Sequence, residues 1–394
     1  MGKKKMRFET SVIHEGYDTK DMLGSLTPPL FQTSTYTFDT AEQGERRFAG
    51  EEEGYVYSRL KNPTVAVLEE RIAALENGER GLAFGSGMAA ISAVLIALTK
   101  ANDHILCSVG LYGCTFGLLQ MMEEKYNITH DLSALESEEV VRASIRLETA
   151  LIYIETPINP TMKLIDLEMV ARVAKEHNIP VVVDNTFLSP YLQRPLDLGC
   201  DVVVHSATKY IGGHGDVVAG LVVGTHAFLD DVAATTQKDI GGIIGPFDAW
   251  LLLRGLKTLP LRMDRHCDNA EKVFDKLRNH PKVKHIYFPK NKEHEDYAIY
   301  QKQMTGAGGM ISFEIDGNKE DAQHVLNQLE FIKLAVSLGD AETLIQHPAT
   351  MTHAVVPKEE RLKMGISDEL IRLSVGLEAW EDVWEDIEQA LNSL

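Results

Sequence analysis

The sequence predicts an α/β protein: a mostly parallel central sheet with helices on both faces, followed by a smaller C-terminal α+β domain. Three observations carry that expectation. From residue 62 to about residue 258, short apolar runs alternate with helical stretches, the pattern of a parallel sheet covered by helices. Two of the runs, Val181-Val182-Val183 and Val202-Val203-Val204, are continuous, as suits strands buried on both faces. Beyond residue 258 the alternation loosens, which argues for a second unit. A chain of 394 residues exceeds the roughly 250–300 residues at which one core stops growing.

Residues 1–61 show little periodicity. Leu26–Phe31 and Ser34–Phe38 read as extended, and the region has aromatics but no core of its own. It is expected to form an arm lying on a neighbouring subunit or over its own domain. Asn62-Pro63 marks a helix start, with Val65, Leu68, Ile72 and Leu75 on one stripe before Gly78. Within residues 62–258, strands are expected at 82–84, 105–109, 150–155, 180–183, 201–204 and 219–223. Helices are expected at 87–99, 115–126, 166–177 and 247–257. Within residues 259–394, strands are expected at 282–288, 310–315 and 370–375, with helices at 268–279, 319–329 and 379–391.

The 39 basic and 58 acidic residues give a formal charge of −19. So acidic a chain is repelled by nucleic acid and by anionic membranes, although a local cationic pocket for a small anion stays open. Cys107, Cys114, Cys200 and Cys267 have neither metal-site nor disulfide-framework spacing. No apolar run is long enough to span a bilayer or follows the basic N-terminus as a signal would, so a cytoplasmic protein is expected. His205 and His214 lack a third ligand, and no metal is expected.

Ligands of open parallel sheets bind beyond the carboxyl ends of the strands. There the sequence places Gly85-Ser86-Gly87-Met88, Tyr112-Gly113-Cys114, Thr156-Pro157-Ile158-Asn159-Pro160, Asp184-Asn185-Thr186 and Ser206-Ala207-Thr208-Lys209-Tyr210. The glycine turn fits a loose dinucleotide-binding pattern, but the next strand brings no acid for a ribose, so a nicotinamide dehydrogenase is a remote reading. A glycine turn opening a helix offers backbone N–H groups to an anion in any case. An acid at a dry strand end needs a cation. Asp184 and Lys209 could simply pair with each other. Alternatively, a ligand with its own basic nitrogen takes Asp184 and leaves Lys209 as a nucleophile. Pyridoxal phosphate has that nitrogen, an aldehyde for the lysine, and a phosphate for the glycine turn, Ser206 and Thr208. Tyr112 could lie on the ring face.

Tyr57-Ser58-Arg59, Gly85-Ser86-Gly87-Met88, Asp184-Asn185-Thr186 and Ser206-Ala207-Thr208-Lys209-Tyr210-Ile211-Gly212-Gly213-His214 resemble the Cys/Met-metabolism family of pyridoxal-phosphate enzymes, from about Ser11 to the C-terminus. The resemblance implies the aspartate-aminotransferase-like fold (PLP fold type I) and a homotetramer whose active sites are shared across a dimer interface. It implies that Lys209 bonds the cofactor, that Asp184 pairs with the pyridine nitrogen, and that Gly87, Met88, Ser206 and Thr208 hold the phosphate with Tyr57 and Arg59 of a neighbouring subunit. Arg372 would clamp the substrate carboxylate, or else form a buried structural ion pair. Ser337, Asn159 and Lys238 would join it on the substrate side.

Cys114, Lys238-Asp239 and Ala335–Asp340 are similar to the methionine-cleaving lyases of the family, and apolar Val336 suits a short thioether. The implied reaction is α,γ-elimination from methionine or homocysteine. Lys209 would act as the base at Cα, and Tyr112 would protonate the leaving sulfur. Cys114 would tune substrate fit, unless it is merely a small buried hydrophobe. Arg59 and Lys238 would favour a phenolate at Tyr112. A cystathionine γ-lyase and an O-acetylhomoserine sulfhydrylase-type replacement enzyme remain open, as does a binding protein that keeps the fold without catalysis.

Overall fold

Asn62 opens the first long helix, Pro63–Leu75. Its Oδ1 accepts hydrogen bonds from the backbone N–H groups of Thr64 (2.9 Å) and Val65 (3.4 Å), and Pro63 sits in the first turn, where no donor is needed. The computed structural model describes residues 6–354 and 358–394.

Seven strands follow this helix: β1 Arg80–Phe84, β2 His104–Ser108, β3 Thr129–Ser133, β4 Thr149–Glu155, β5 Val181–Asp184, β6 Val202–Ser206 and β7 Gly220–Gly224. They form one sheet in the order β1-β7-β6-β5-β4-β2-β3. All run in one direction except β7, which is antiparallel to both of its neighbours. Burial on both faces is explicit in the side chains. Val182 and Val204 pack with Leu95, Cys107 and Tyr153, whereas Val181 and Val183 pack with Ile154, Val170 and Val173. The first group sits under helices Gly87–Leu98 and Gly113–Tyr126, the second under Leu167–Glu176.

A smaller sheet contains β8 Val283–Tyr287, β9 Met310–Ile315, β10 Lys333–Leu334, β11 Leu344–Gln346 and β12 Leu370–Ser374, in the order β10-β11-β12-β9-β8. Helices Leu259–Leu277, Lys319–Gln328 and Trp380–Asn392 accompany it. The α/β sheet with helices on both faces and the smaller second domain are therefore as expected. No helix among the described residues is long and apolar enough to cross a membrane.

Several details differ from the sequence reading. Helix Leu259–Leu277 begins nine residues before the expected 268. Strand β3 was not expected, because Thr129-His130-Asp131-Leu132-Ser133 is an edge strand with only Ser133 buried, and polar composition protects such edges. Helices Phe8–His14 and Ala41–Phe48 lie in the region read as lacking periodicity. Val12 of the first is buried in the main core, so this part of the arm does lie over its own domain. Farther on, Leu23, Leu26, Phe48, Tyr57 and Leu60 are exposed.

Candidate active site

The sheet register decides which strand-end side chains meet. Glu155 on β4 stands opposite Asp184 on β5, and Asp184 opposite Val204 on β6. Side chains two residues apart share a face, so Glu155, Asp184 and Ser206 continue the face that carries Tyr153, Val182 and Val204. Helix Gly87–Leu98 covers that same face.

Its N-terminus is the expected anion cradle. Ser86 caps the helix by accepting from the N–H of Ala89 (3.0 Å), which leaves earlier N–H groups, Gly87 and Met88 among them, without intrahelical partners. A Cβ on Gly87 would stand 2.9 Å from the Ser206 Cβ, so only glycine lets this turn approach β6 so closely. Ser206 donates its backbone N–H to Thr186 Oγ1 (2.8 Å). The Thr208 hydroxyl exchanges hydrogen bonds with the backbone of Ala219, at 3.3 Å to the carbonyl and 3.0 Å from the N–H.

Asp184 accepts from the Thr186 N–H (3.0 Å) and, weakly, from Tyr153 Oη (3.5 Å). Burial pushes its carboxyl above the usual range, and the hydrogen bonds from Thr186 and Tyr153 oppose that shift. Lys209 does not pair with it. Lys209 Nζ instead donates to Ser337 Oγ (3.1 Å), and no ion pair joins the two among the described residues. Burial lowers the ammonium's pKa; Asp340 raises it, and Arg372 lowers it further. The simple Asp184–Lys209 salt bridge is thereby excluded, leaving a desolvated acid with no ion-pair partner among the described residues and an amine whose charged form burial disfavours.

Arg372, on β12, is only 4% exposed. Its Nη1 donates to Asn159 Oδ1 (3.0 Å) and its Nη2 to the Ser337 carbonyl (2.7 Å). With its amide oxygen facing the guanidinium, Gln346 accepts from it at 3.0–3.2 Å. Burial lowers the guanidinium pKa to about 10. No carboxylate pairs with Arg372 among the described residues, which removes the structural ion-pair reading. Ser337 thus touches both Lys209 and Arg372, from a backbone φ of 116° that non-glycine residues rarely adopt.

Tyr112 is half-exposed at the head of helix Gly113–Tyr126, and its N–H donates to Glu155 Oε2 (2.9 Å). Its phenol pKa is pushed up to about 12 by a hydrogen bond with Cys114, then by burial and by the nearby Cys114 thiol. Within one chain, neither Arg59 nor Lys238 is among the groups that shift it. In this chain Arg59 Nη1 donates to the Lys238 carbonyl (2.7 Å), and its guanidinium stands 5.7 Å over the Tyr57 ring. Cys114 is exposed, so it is not a buried hydrophobe. Tyr57, Arg59 and Lys238 form one group; Lys209, Ser337, Arg372 and Asn159 form another.

Sequence reasoning singled out neither Glu155 nor Gln346. Both are strand-terminal polar residues, and only the register places them against Asp184 and Arg372. The suspected histidines have other partners: His205 Nε2 lies 2.6 Å from Glu76 Oε1, and His214 Nδ1 donates to the Gly212 carbonyl (2.7 Å).

The residues present fit pyridoxal phosphate. The side-chain-free cradle at Gly87 suits the phosphate, the cation-less Asp184 suits a protonated pyridine nitrogen, and the Lys209 amine suits the aldehyde carbon.

Comparison with known proteins agrees. Residues 9–392 match the family of Cys/Met metabolism PLP-dependent enzymes. An L-methionine γ-lyase of Fusobacterium nucleatum is 49% identical, with 100% of each chain covered. One of Treponema denticola is 48% identical, covering 99% of this chain and 98% of that one. The solved cystathionine γ-lyase of Lactobacillus plantarum, in complex with L-serine, superposes with a TM-score of 0.92 at 42% identity, over 98% of this chain and 99% of that one. Because the agreement runs the length of the chain, the protein belongs to the Cys/Met metabolism PLP-dependent enzymes, and pyridoxal phosphate is its cofactor.

Proposed function

We propose that this enzyme is a carbon–sulfur lyase that catalyses α,γ-elimination of L-methionine, and of homocysteine, to 2-oxobutanoate, ammonia and a thiol or hydrogen sulfide. The observation that carries the reading is the pairing of Tyr112 with the exposed Cys114 thiol, together with an apolar Val336, 60% exposed, directly before the Ser337 that meets Lys209. Such side chains suit an unbranched thioether, whereas the distal ammonium of cystathionine would find no carboxylate at Val336. The likeness to two L-methionine γ-lyases supports it.

Bound pyridoxal phosphate supplies the electron sink that makes the substrate's Cα, and then its Cβ, acidic. Arg372, already oriented by Asn159, Ser337 and Gln346, presents a guanidinium without an anion to the substrate carboxylate, a fork that binds bidentately. Lys209 Nζ takes the Cα proton. Its lowered pKa favours the free amine that a base requires. The Tyr112 hydroxyl, kept protonated by its Cys114 contact, gives its proton to the departing sulfur at Cγ. Asp184 would hold the cofactor's protonated pyridine nitrogen as an anion. Gly87, Met88 and Ser206 would bind its phosphate, with the Thr208 hydroxyl beside them.

We further propose that residues 1–61 act as an arm, with 62–258 and 259–394 as the two domains behind it. The arm brings Tyr57 and Arg59 to the phosphate of a second copy. Within one chain Arg59 contacts Tyr57 and Lys238, with no hydrogen bond to the Lys209 group among the described residues, which supports this, as do the exposed apolar side chains of the arm.

The test is 2-oxobutanoate release from methionine, homocysteine and cystathionine, with and without added thiol. Methionine is expected to be cleaved with the highest kcat/KM, and the rate of release should be insensitive to thiol. Preference for cystathionine would assign the chain to the cystathionine lyases, a reading that its solved relative favours. Conversion of the thiol into a new thioether would assign it to the replacement enzymes.

A further inference from the structure

Glu155 and Asp184 are in-register neighbours on adjacent parallel strands, with both side chains on the helix-covered face. Glu155 is 8% exposed and forms no ion pair among the described residues. The titratable groups facing it are Asp184 on β5, Tyr153 on β4, Cys107 on β2 and Tyr112 at the helix head; His205 on β6 stands beside Asp184. None of them supplies it with a partner cation. One of its oxygens, Oε2, accepts the Tyr112 N–H at 2.9 Å. The other, Oε1, is buried with no hydrogen bond of normal geometry, although the Thr115 and Tyr153 hydroxyls lie close to the carboxyl.

Two desolvated carboxylates one strand apart do not both ionise cheaply; one keeps a proton. Asp184 must be the anion if it is to hold the cofactor's protonated nitrogen. The unpartnered Oε1 is where the other proton can reside, while Oε2 keeps its bond to Tyr112. We infer that Glu155 is a positioning residue: as the neutral member of a carboxyl pair with Asp184, it anchors the backbone of Tyr112 and leaves the negative charge on Asp184. Burial and the neighbouring Asp184 both push the Glu155 carboxyl upward, in line with that assignment. The inference rests on Tyr112 and Asp184 having the roles given above, but not on which sulfur amino acid is cleaved.

Three measurements on the holoenzyme test it. First, with ¹³C-labelled glutamate, the infrared spectrum at neutral pH should show the carbonyl stretch of one protonated carboxylic acid that is absent from Glu155→Gln. Second, the native state holds this proton above the pH at which the unfolded chain releases it. Wild-type stability therefore falls with rising pH by a contribution that a permanently neutral amide lacks. The melting temperature of Glu155→Gln relative to wild type should rise between pH 5 and pH 9. Third, Glu155→Ala should lower kcat more than tenfold on whichever substrate is turned over, and Glu155→Gln, which keeps an acceptor for the Tyr112 N–H, should recover most of that loss. The absence of the carboxylic band, or a pH-independent melting difference, overturns the neutral assignment; a Gln variant as slow as the Ala variant overturns the anchoring. Neither of the first two readouts uses substrate, so a different preferred amino acid would leave them intact. If the Ala variant fails to fold, the Gln measurements decide alone.

Discussion

Arg372 carries a positive charge into a desolvated position with amides and a carbonyl around it and no anion, an arrangement that costs stability unless a ligand completes it. Lysine at this position keeps the charge but loses the planar fork. Arg372→Lys is therefore expected to lower kcat/KM by roughly 10–100-fold, chiefly through KM, in line with about 1.5–3 kcal/mol for a hydrogen bond to a charged group. Steady-state kinetics with the favoured amino acid checks this, and an unchanged KM would remove Arg372 from carboxylate binding. At this scale the sequence was most legible where chemistry is local. Lys209 stands directly between Thr208 and Tyr210, with Ser206 three residues before it, and Asp184 ends an apolar run, so both stand out. Glu155 also ends an apolar run, but its meaning lies in standing across from Asp184, a partner 29 residues away that only strand register supplies.

The element that presents Lys209 is a loop held by one buried cation. Arg262, in helix Leu259–Leu277, donates to the carbonyls of Tyr210 (2.6 Å), Ile211 (3.4 Å) and Gly255 (2.9 Å) and to Thr258 Oγ1 (3.2 Å). Gly213 has φ +63°, and any Cβ there would collide with the guanidinium. Gly213→Ala combines a left-handed backbone penalty of about 1 kcal/mol with displacement of Arg262. A lower melting temperature and weaker cofactor retention on dialysis are expected together; a variant as stable as wild type would show that the loop tolerates a different path. The sequence reading assigned Arg262 no role, because the helix that carries it was expected to start at residue 268. The eight-residue π-helix Ala233–Ile240, which carries Lys238, was likewise illegible. Its wider hydrogen-bond spacing leaves no periodic apolar signal, although such turns often mark functional positions.

For the whole molecule, the strand–helix alternation made the large sheet readable in advance, and the looser order after residue 258 made the second domain readable too. The reversal of β7 was not, since a buried apolar run such as Gly220–Gly224 reads alike in either direction. If a second copy completes each site, two variants that fail for different reasons should repair one another. Arg59→Ala and Lys209→Ala, each inactive alone, are expected to regain activity when refolded together, up to about a quarter of wild type for random pairing. No recovery, with mixed oligomers demonstrated by mass, would place both residues in one chain's site. Ser337 has a further consequence. Its hydroxyl meets the Lys209 amine and its carbonyl meets the Arg372 guanidinium, so one conformationally constrained residue spaces the base from the carboxylate clamp. It works as a fixed ruler for the part common to all α-amino acids, while Cys114 lies outside the contacts that the ruler makes. Such a division lets a lineage exchange one leaving group for another without recalibrating the end where every reaction begins.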